Sequence, residues 1–246
     1  LPILELKVFY ILVSMEILTV MFLIPSFTAG SIAGEREKQT LDILLTTTLT
    51  PGEIIMGKLM SSISMVFLLV VSSLPIISIV FTIGGIGMED MLMFMLEILI
   101  ISFFIGSMGM LASTVLKKTV QATVCSFAQI VLVCGGTVVV VIVAYIAAKL
   151  YYYNCMGAVG SMPDVSSVLF ILLINPAFTI VQMTAKHCES ISVISKAAGM
   201  LNGSMPSTIV DNWFRLSMIS QMIVTVILLR ISAILLKPTR KKKTVS

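Results

Sequence analysis

An all-α, polytopic membrane fold is what this sequence predicts, and three observations predict it. Only 11% of the 246 residues are charged and 58% are hydrophobic, against the roughly 25% charge of a soluble domain. Mean hydropathy is +1.10, and the apolar residues gather in continuous runs longer than the ~20 needed to cross hydrocarbon as a helix. Those runs lack the ~10-residue alternating segments of an outer-membrane barrel, which leaves helices as the way to satisfy the backbone inside lipid.

Five runs are long enough to span: about 8–31, 57–83, 91–116, 119–149 and 212–236. A "GGIGMED" link at 84–90 joins the second to the third and a "KK" link at 117–118 joins the third to the fourth. A long segment, 150–211, precedes the last span, and the chain closes on "KPTRKKKTVS". Residues 1–246 therefore read as a single transmembrane domain.

Orientation follows from the placement of Lys and Arg. One side holds Arg36, Lys38, Lys58, Lys117, Lys118, Lys237, Arg240, Lys241, Lys242 and Lys243, while the other holds Lys7, Lys149, Lys186 and Lys196 over a much longer stretch. The richer side, with the C-terminus, is expected to be cytoplasmic. "VLFILLINPAFTIVQM" at 168–183 tests this, because as a sixth crossing it would send the basic tail outside. It is short, and Asn175-Pro176 interrupts it: Pro176 removes a backbone donor and disfavours helix at Asn175. A broken helical pair dipping into the outer leaflet is expected there, within an extracellular helical segment. Five crossings place residue 1 outside, and no signal peptide precedes the first run. An upstream sixth span is therefore expected, with both ends cytoplasmic.

The connector "AGSIAGEREKQTLDILLTTTLTPGEIIMGK", 29–58, carries seven charged residues between two apolar runs. Pro25 and Gly30 loosen the end of the first span. "EREKQTLDILL" reads as a short helix, with Glu35 and Glu37 at its positive N-terminal end. Leu41, Leu44 and Leu45 share one of its faces. "TTTLT" is β-branched and turn-prone, so the helix is expected to cover about 35–48. Thr50-Pro51-Gly52-Glu53 is a capping signature, with Thr at N-cap, Pro at N1 and Glu at N3. The residues alone leave two readings open. One is an interfacial helix with Lys38 and Lys58 at headgroup level; the other is a docking element for a soluble partner, favoured by acidic residues ill-suited to an anionic leaflet.

This segment resembles the hallmark of type-2 ABC transporter permeases, the exporter class of membrane subunits. Ala33-Gly34-Glu35-Arg36-Glu37, Thr40-Leu41-Asp42, Leu44-Leu45, Glu53-Ile54 and Gly57-Lys58 carry the resemblance, and Thr48 departs from it where many members have Pro. The resemblance implies a coupling helix seated in a groove of a separate ABC ATP-binding subunit, present in two copies. Glu35, Arg36, Glu37, Thr40, Leu41, Asp42, Leu44, Leu45, Glu53 and Lys58 would serve that contact. It also implies a second permease copy or a related permease, and efflux driven by the partner. The sequence has no GxxxxGK[ST], so ATP and Mg²⁺ are expected on the partner and no cofactor on this chain.

Ionisable residues within spans are the other candidates: Glu16, Glu97 and Arg215. The residues allow a pairing of Glu16 or Glu97 with Arg215. Against it stands snorkelling of Glu97 and Arg215, each ~6–9 Å from its span end; Arg230 is expected to snorkel at the inner end. Ser102, Gly106, Gly109 and Ser113 form a small-residue stripe suited to close helix packing within the subunit, with a dimer face as the alternative use. Cys155 and Cys188 fall on the outer side, where a disulfide or two free thiols are both open. With one histidine, His187, and no CxxC, an ordinary zinc site is not expected. HExxH and GxSxG are absent, so an intramembrane enzyme is not expected. Nucleic acid is not an expected partner, whereas anionic lipid is, through the "RKKK" tail. A membrane scaffold that recruits a cytoplasmic protein without transport remains the rival to an exporter permease.

Overall fold

The computed structural model describes residues 2–46, 48–83, 88–156, 163–189, 192–203 and 205–236, and all regular structure among them is helical. Helix α1 (Pro2–Glu37) leads into a short α2 (Leu41–Leu45), followed by α3 (Pro51–Ile83) and α4 (Met88–Val115). Next comes α5 (Thr119–Val131), which passes through a π-helical turn (Leu132–Gly136) into α6 (Thr137–Tyr151). A 3₁₀ helix (Ser166–Ile174), α7 (Pro176–Glu189), α8 (Val193–Met200) and α9 (Ser207–Asp211) precede α10 (Trp213–Leu236).

Five segments are long and apolar enough to cross a membrane: Ile11–Glu37, Pro51–Ser73, Met91–Val115, Thr119–Asn154 and Trp213–Leu236. They coincide with the five runs read from the sequence. The most enclosed is α4, which packs against α1, α10, α5 and α3; the least enclosed is 119–154. Val13, Ile17, Val20 and Ile24 of α1 meet Phe94, Ile98, Ile101 and Ile105 of α4 in the main core. The connector end has its own cluster, in which Ile32, Leu41, Ile54, Ile55, Leu59, Met110 and Leu236 converge.

The α1–α4 contact uses the small-residue stripe within the subunit. A Cβ on Gly106 would lie 2.6 Å from Leu59 Cδ1 of α3 and 3.5 Å from Ile24 Cγ2 of α1, and one on Gly109 would overlap Thr28 Oγ1 of α1 and reach Thr28 Cβ at 3.0 Å. Ser113 Oγ accepts the N–H groups of both Ile32 and Ala33 at 2.9 Å. Partners on α1 advance as those on α4 advance, so the two helices run parallel. Backbones that approach this closely leave no room for a side chain.

At the other end, the expected broken pair is present, and Asn175 makes the break. Its Oδ1 accepts the Phe178 N–H at 3.1 Å, which caps α7 with Pro176 at N1. Its Nδ2 reaches into the wider π turn, donating to Cys134 O at 2.9 Å and to Thr137 Oγ1 at 2.8 Å. Ser217 and Ser220 of α10 donate to Leu173 O at 2.8 and 2.7 Å. Trp213, almost wholly buried, packs against Phe170 and Phe178. Asp164 Oδ1 accepts the Ser166 N–H at 2.8 Å, a bond that holds the Asp164 carboxyl below its ordinary range. The side chains of Cys155 and Cys188, and the basic tail, lie outside the described residues.

Gly109→Ala is expected to lower stability by about 1–3 kcal/mol through overpacking against Thr28. Gly30→Ala, whose Cβ meets nothing within 4 Å, should be neutral or slightly stabilising. Thermal unfolding of the detergent-solubilised variants compares the two.

Candidate functional site: the connector and the helix roots

The connector departs from its expected form at its beginning. Glu35, Arg36 and Glu37 do not start a helix; they form the last turn of α1. Lys38 N–H still donates to Gly34 O at 3.0 Å, but Gln39 turns to φ 57° and ends the helix in a left-handed cap. Thr40 then starts α2, accepting the Leu44 N–H at 3.1 Å. The expected helix over 35–48 is thus the end of one helix and a separate five-residue one. The reason is that α1 continues unbroken past Gly34, so the two glutamates sit at a helix C-terminus, where the dipole disfavours them and other groups must compensate.

Each charge of this turn finds a different neighbour. Glu35 Oε1 accepts from Lys58 Nζ of α3 at 2.7 Å, and its Oε2 accepts from the Thr40 hydroxyl. Arg36 donates from Nη1 to Leu116 O at 3.0 Å and from Nη2 to Thr114 O at 3.1 Å, satisfying carbonyls at the C-terminal end of α4. Glu37 Oε2 accepts from Thr119 Oγ1 at 2.7 Å, at the first residue of α5. A Cβ on Gly34 would meet Thr119 Cγ2 at 3.5 Å, an ordinary van der Waals contact, so α1 passes beside α5 here without strain. Four helix roots are therefore joined through three consecutive residues, Glu35, Arg36 and Glu37.

Beyond this turn the connector folds onto α3. Leu41 is buried in the connector-end cluster and Leu44 packs against it. The side chains of Asp42 and Leu45 lie outside the described residues. Ile43 and Leu49 point away, 68% and 51% exposed. The capping box predicted at Thr50 is formed in both directions: Thr50 N–H donates to Glu53 Oε2 at 2.7 Å, and Glu53 N–H to Thr50 Oγ1 at 3.4 Å. Between α2 and α3 lies a shallow cavity of about 230 Å³, bordered by Leu44, Leu49, Glu53, Ile54 and Lys58.

The intramembrane candidates are not brought together as a Glu–Arg pair. Glu16 Oε1 accepts from Ser73 Oγ of α3 at 2.7 Å. Glu97 is 1% exposed, and among the described residues neither of its oxygens has a hydrogen-bond partner. The snorkelling expected of Glu97 is overturned, because α4 is the enclosed helix of the bundle and the route to its end is covered. Arg215 stands exposed at the third position of α10, with no bridge to either glutamate. Two participants escaped the sequence reading: Thr119 and Ile43. Ile43 left a signal, since it is apolar yet off the face shared by Leu41, Leu44 and Leu45. Thr119 left none, because its partner Glu37 is about eighty residues away.

Arg36→Ala is expected to cost about 1–3 kcal/mol by leaving carbonyls of α4 without their charged donor. Arg36→Lys should recover only part, since an ammonium lacks the two-pronged fork. A double-mutant cycle on Glu35 and Lys58, each about a third exposed, is expected to give a coupling below about 1 kcal/mol. Thermal unfolding measures both.

No curated protein matches the sequence. A family profile described as "ABC-2 family transporter protein" matches residues 10–237, which takes in all five spanning segments and the connector. Five apolar helices, a connector tied to four helix roots and this match over nearly the whole chain lead to one conclusion: the protein is a multi-pass membrane permease component of an ABC transporter and belongs to the ABC-2 transporter family.

Proposed function

We propose that this permease works in an ATP-driven exporter, with its connector docked on a separate ABC ATP-binding subunit. The carrying observation is the division of labour within the connector. Glu35, Arg36 and Glu37 turn to the helix roots, while Ile43 and Leu49 remain exposed beside an open cavity. Burying a side chain such as Ile43 in a partner is worth about 1.5–3 kcal/mol, and the cavity between α2 and α3 would accept an apolar side chain in return. Glu53 and Lys58 at its rim, with Asp42 and Leu45 of α2, complete the docking surface in this reading.

Roles within the segment divide accordingly. Ile43 and Leu49 make contact; Leu41 and Leu44 fasten α2 to α3. Glu35, Arg36, Glu37 and Thr40 pass displacement of the connector to α1, α3, α4 and α5. Two ATP-binding subunits, holding ATP and Mg²⁺, would close on each other and push two such connectors, the second on another copy of this chain or a related permease. The connector and the C-terminus face the cytoplasm, and substrate leaves by the opposite side.

Ile43→Asp and Leu49→Asp are expected to abolish co-purification with the ATP-binding subunit and the accompanying stimulation of ATP hydrolysis, without changing the melting temperature of the permease. Leu41→Ala, by contrast, should lower that temperature, because Leu41 is core. A complex that survives Ile43→Asp with full ATPase stimulation would overturn the docking role. A stable complex whose ATPase responds to no transported compound would favour the scaffold instead.

A further inference from the structure

On the flank of the bundle near the connector, α3 and α10 leave a groove of about 280 Å³ between them. Gly52, Ile55 and Met56 form one wall; Val226, Arg230 and Ala233 belong to the other. The groove is apolar apart from Arg230. That residue lies six positions before the end of α10 at Leu236, about 9 Å along the axis, and so within the apolar layer. It nonetheless lines the same groove as Gly52, the second residue of α3, where the chain has just entered the bundle from the connector. Its stem therefore follows the groove towards the membrane surface.

The guanidinium has no acceptor among the described residues. The nearest acid along α3, Glu53, accepts from Thr50 and borders the cavity beside α2 instead. A cation left without a counter-charge at the mouth of an apolar groove is complementary to a molecule that is anionic at one end and hydrocarbon at the other. Room for such a molecule exists: a Cβ on Gly52 would meet nothing within 4 Å, while Met56 and Val226 are exposed along the walls. The residues that follow α10 in the sequence, Lys237 and Arg240 to Lys243, carry charge of the same sign as Arg230.

We propose that this groove binds an anionic phospholipid of the connector-side leaflet, its phosphate on Arg230 and one acyl chain lying along Ile55, Met56 and Val226. The binding site is lined by other residues than the docking surface and does not rest on it. An occupied groove would brace the first turns of α3 against α10, next to the capped turn at Thr50.

The full-length chain is reconstituted into phosphatidylcholine nanodiscs that contain a photoactivatable phosphatidylglycerol or, in parallel, a photoactivatable phosphatidylcholine with the same acyl chain. Cross-links are mapped by peptide mass spectrometry. Phosphatidylglycerol should label the peptides containing 52–56 and 226–233 preferentially. Arg230→Gln should reduce that labelling about fivefold, to the phosphatidylcholine level, as removal of one cation near a membrane surface implies. Arg230→Lys should keep most of it. Gly52→Trp fills the groove and should abolish labelling by both probes at these peptides with the melting temperature unchanged. Equal labelling by both probes in the wild-type chain, labelling confined to other peptides, or labelling insensitive to both Arg230→Gln and Gly52→Trp would overturn the proposal.

Discussion

The organisation of this permease depends on how one helical turn places three consecutive charges. Successive side chains on a helix diverge by about 100°, so Glu35, Arg36 and Glu37 cannot share a partner and must address three different neighbours. The neighbours match each charge. Arg36 meets carbonyls at the C-terminal end of α4, Glu37 meets the N-terminal residue of α5, and Glu35 meets the ammonium of Lys58 on α3. A cation at a carbonyl end and an anion at an amide end are the arrangement that helix dipoles favour. Because α4 and α5 are separated by only the short link around Lys117 and Lys118, one residue pair on α1 can serve both ends.

This arrangement makes the base of the connector part of the bundle rather than a loop hung beneath it. The α1–α4 interface is already tight at Gly109 and Ser113, so the last turn of α1 is fixed on both its length and its end. Leu41 closes the remaining side by burying itself with Ile54, Ile55, Leu59 and Leu236. Among the described residues between α1 and α3, Ile43 and Leu49 are the large apolar side chains left exposed, on the outward face of the connector. On the proposed reading, a push delivered there meets no slack before it reaches four helices.

The far end of the molecule is assembled on a different principle. There the chain breaks helices and recovers the lost backbone bonds with side chains. Asn175 both caps α7 and enters the π turn between α5 and α6, and Ser217 with Ser220 takes the carbonyl of Leu173. In an apolar surrounding an unsatisfied backbone group is costly, which explains why small polar side chains concentrate at these breaks. The segment between α6 and α10 is thereby attached to the bundle by hydrogen bonds, with Trp213 supplying the apolar contact.

Much was legible before any coordinates. Hydropathy is a local quantity, so five continuous apolar runs determined five spanning helices. The capping box at Thr50 and Glu53 and the break at Asn175-Pro176 depend on residues within one turn of each other, and both formed as read. The small residues of α4 announced a close approach. What the sequence left undecided was every question whose answer lies on another helix. "EREKQ" could open a helix or close one, and the choice depended on α1 continuing past Gly34 to reach α3, α4 and α5. Glu97 could have reached water, but the bundle closes around α4; Glu16 chose Ser73 rather than Arg215. Sequence periodicity determines which way a side chain leaves its own helix, whereas only the packing of helices decides what it meets there.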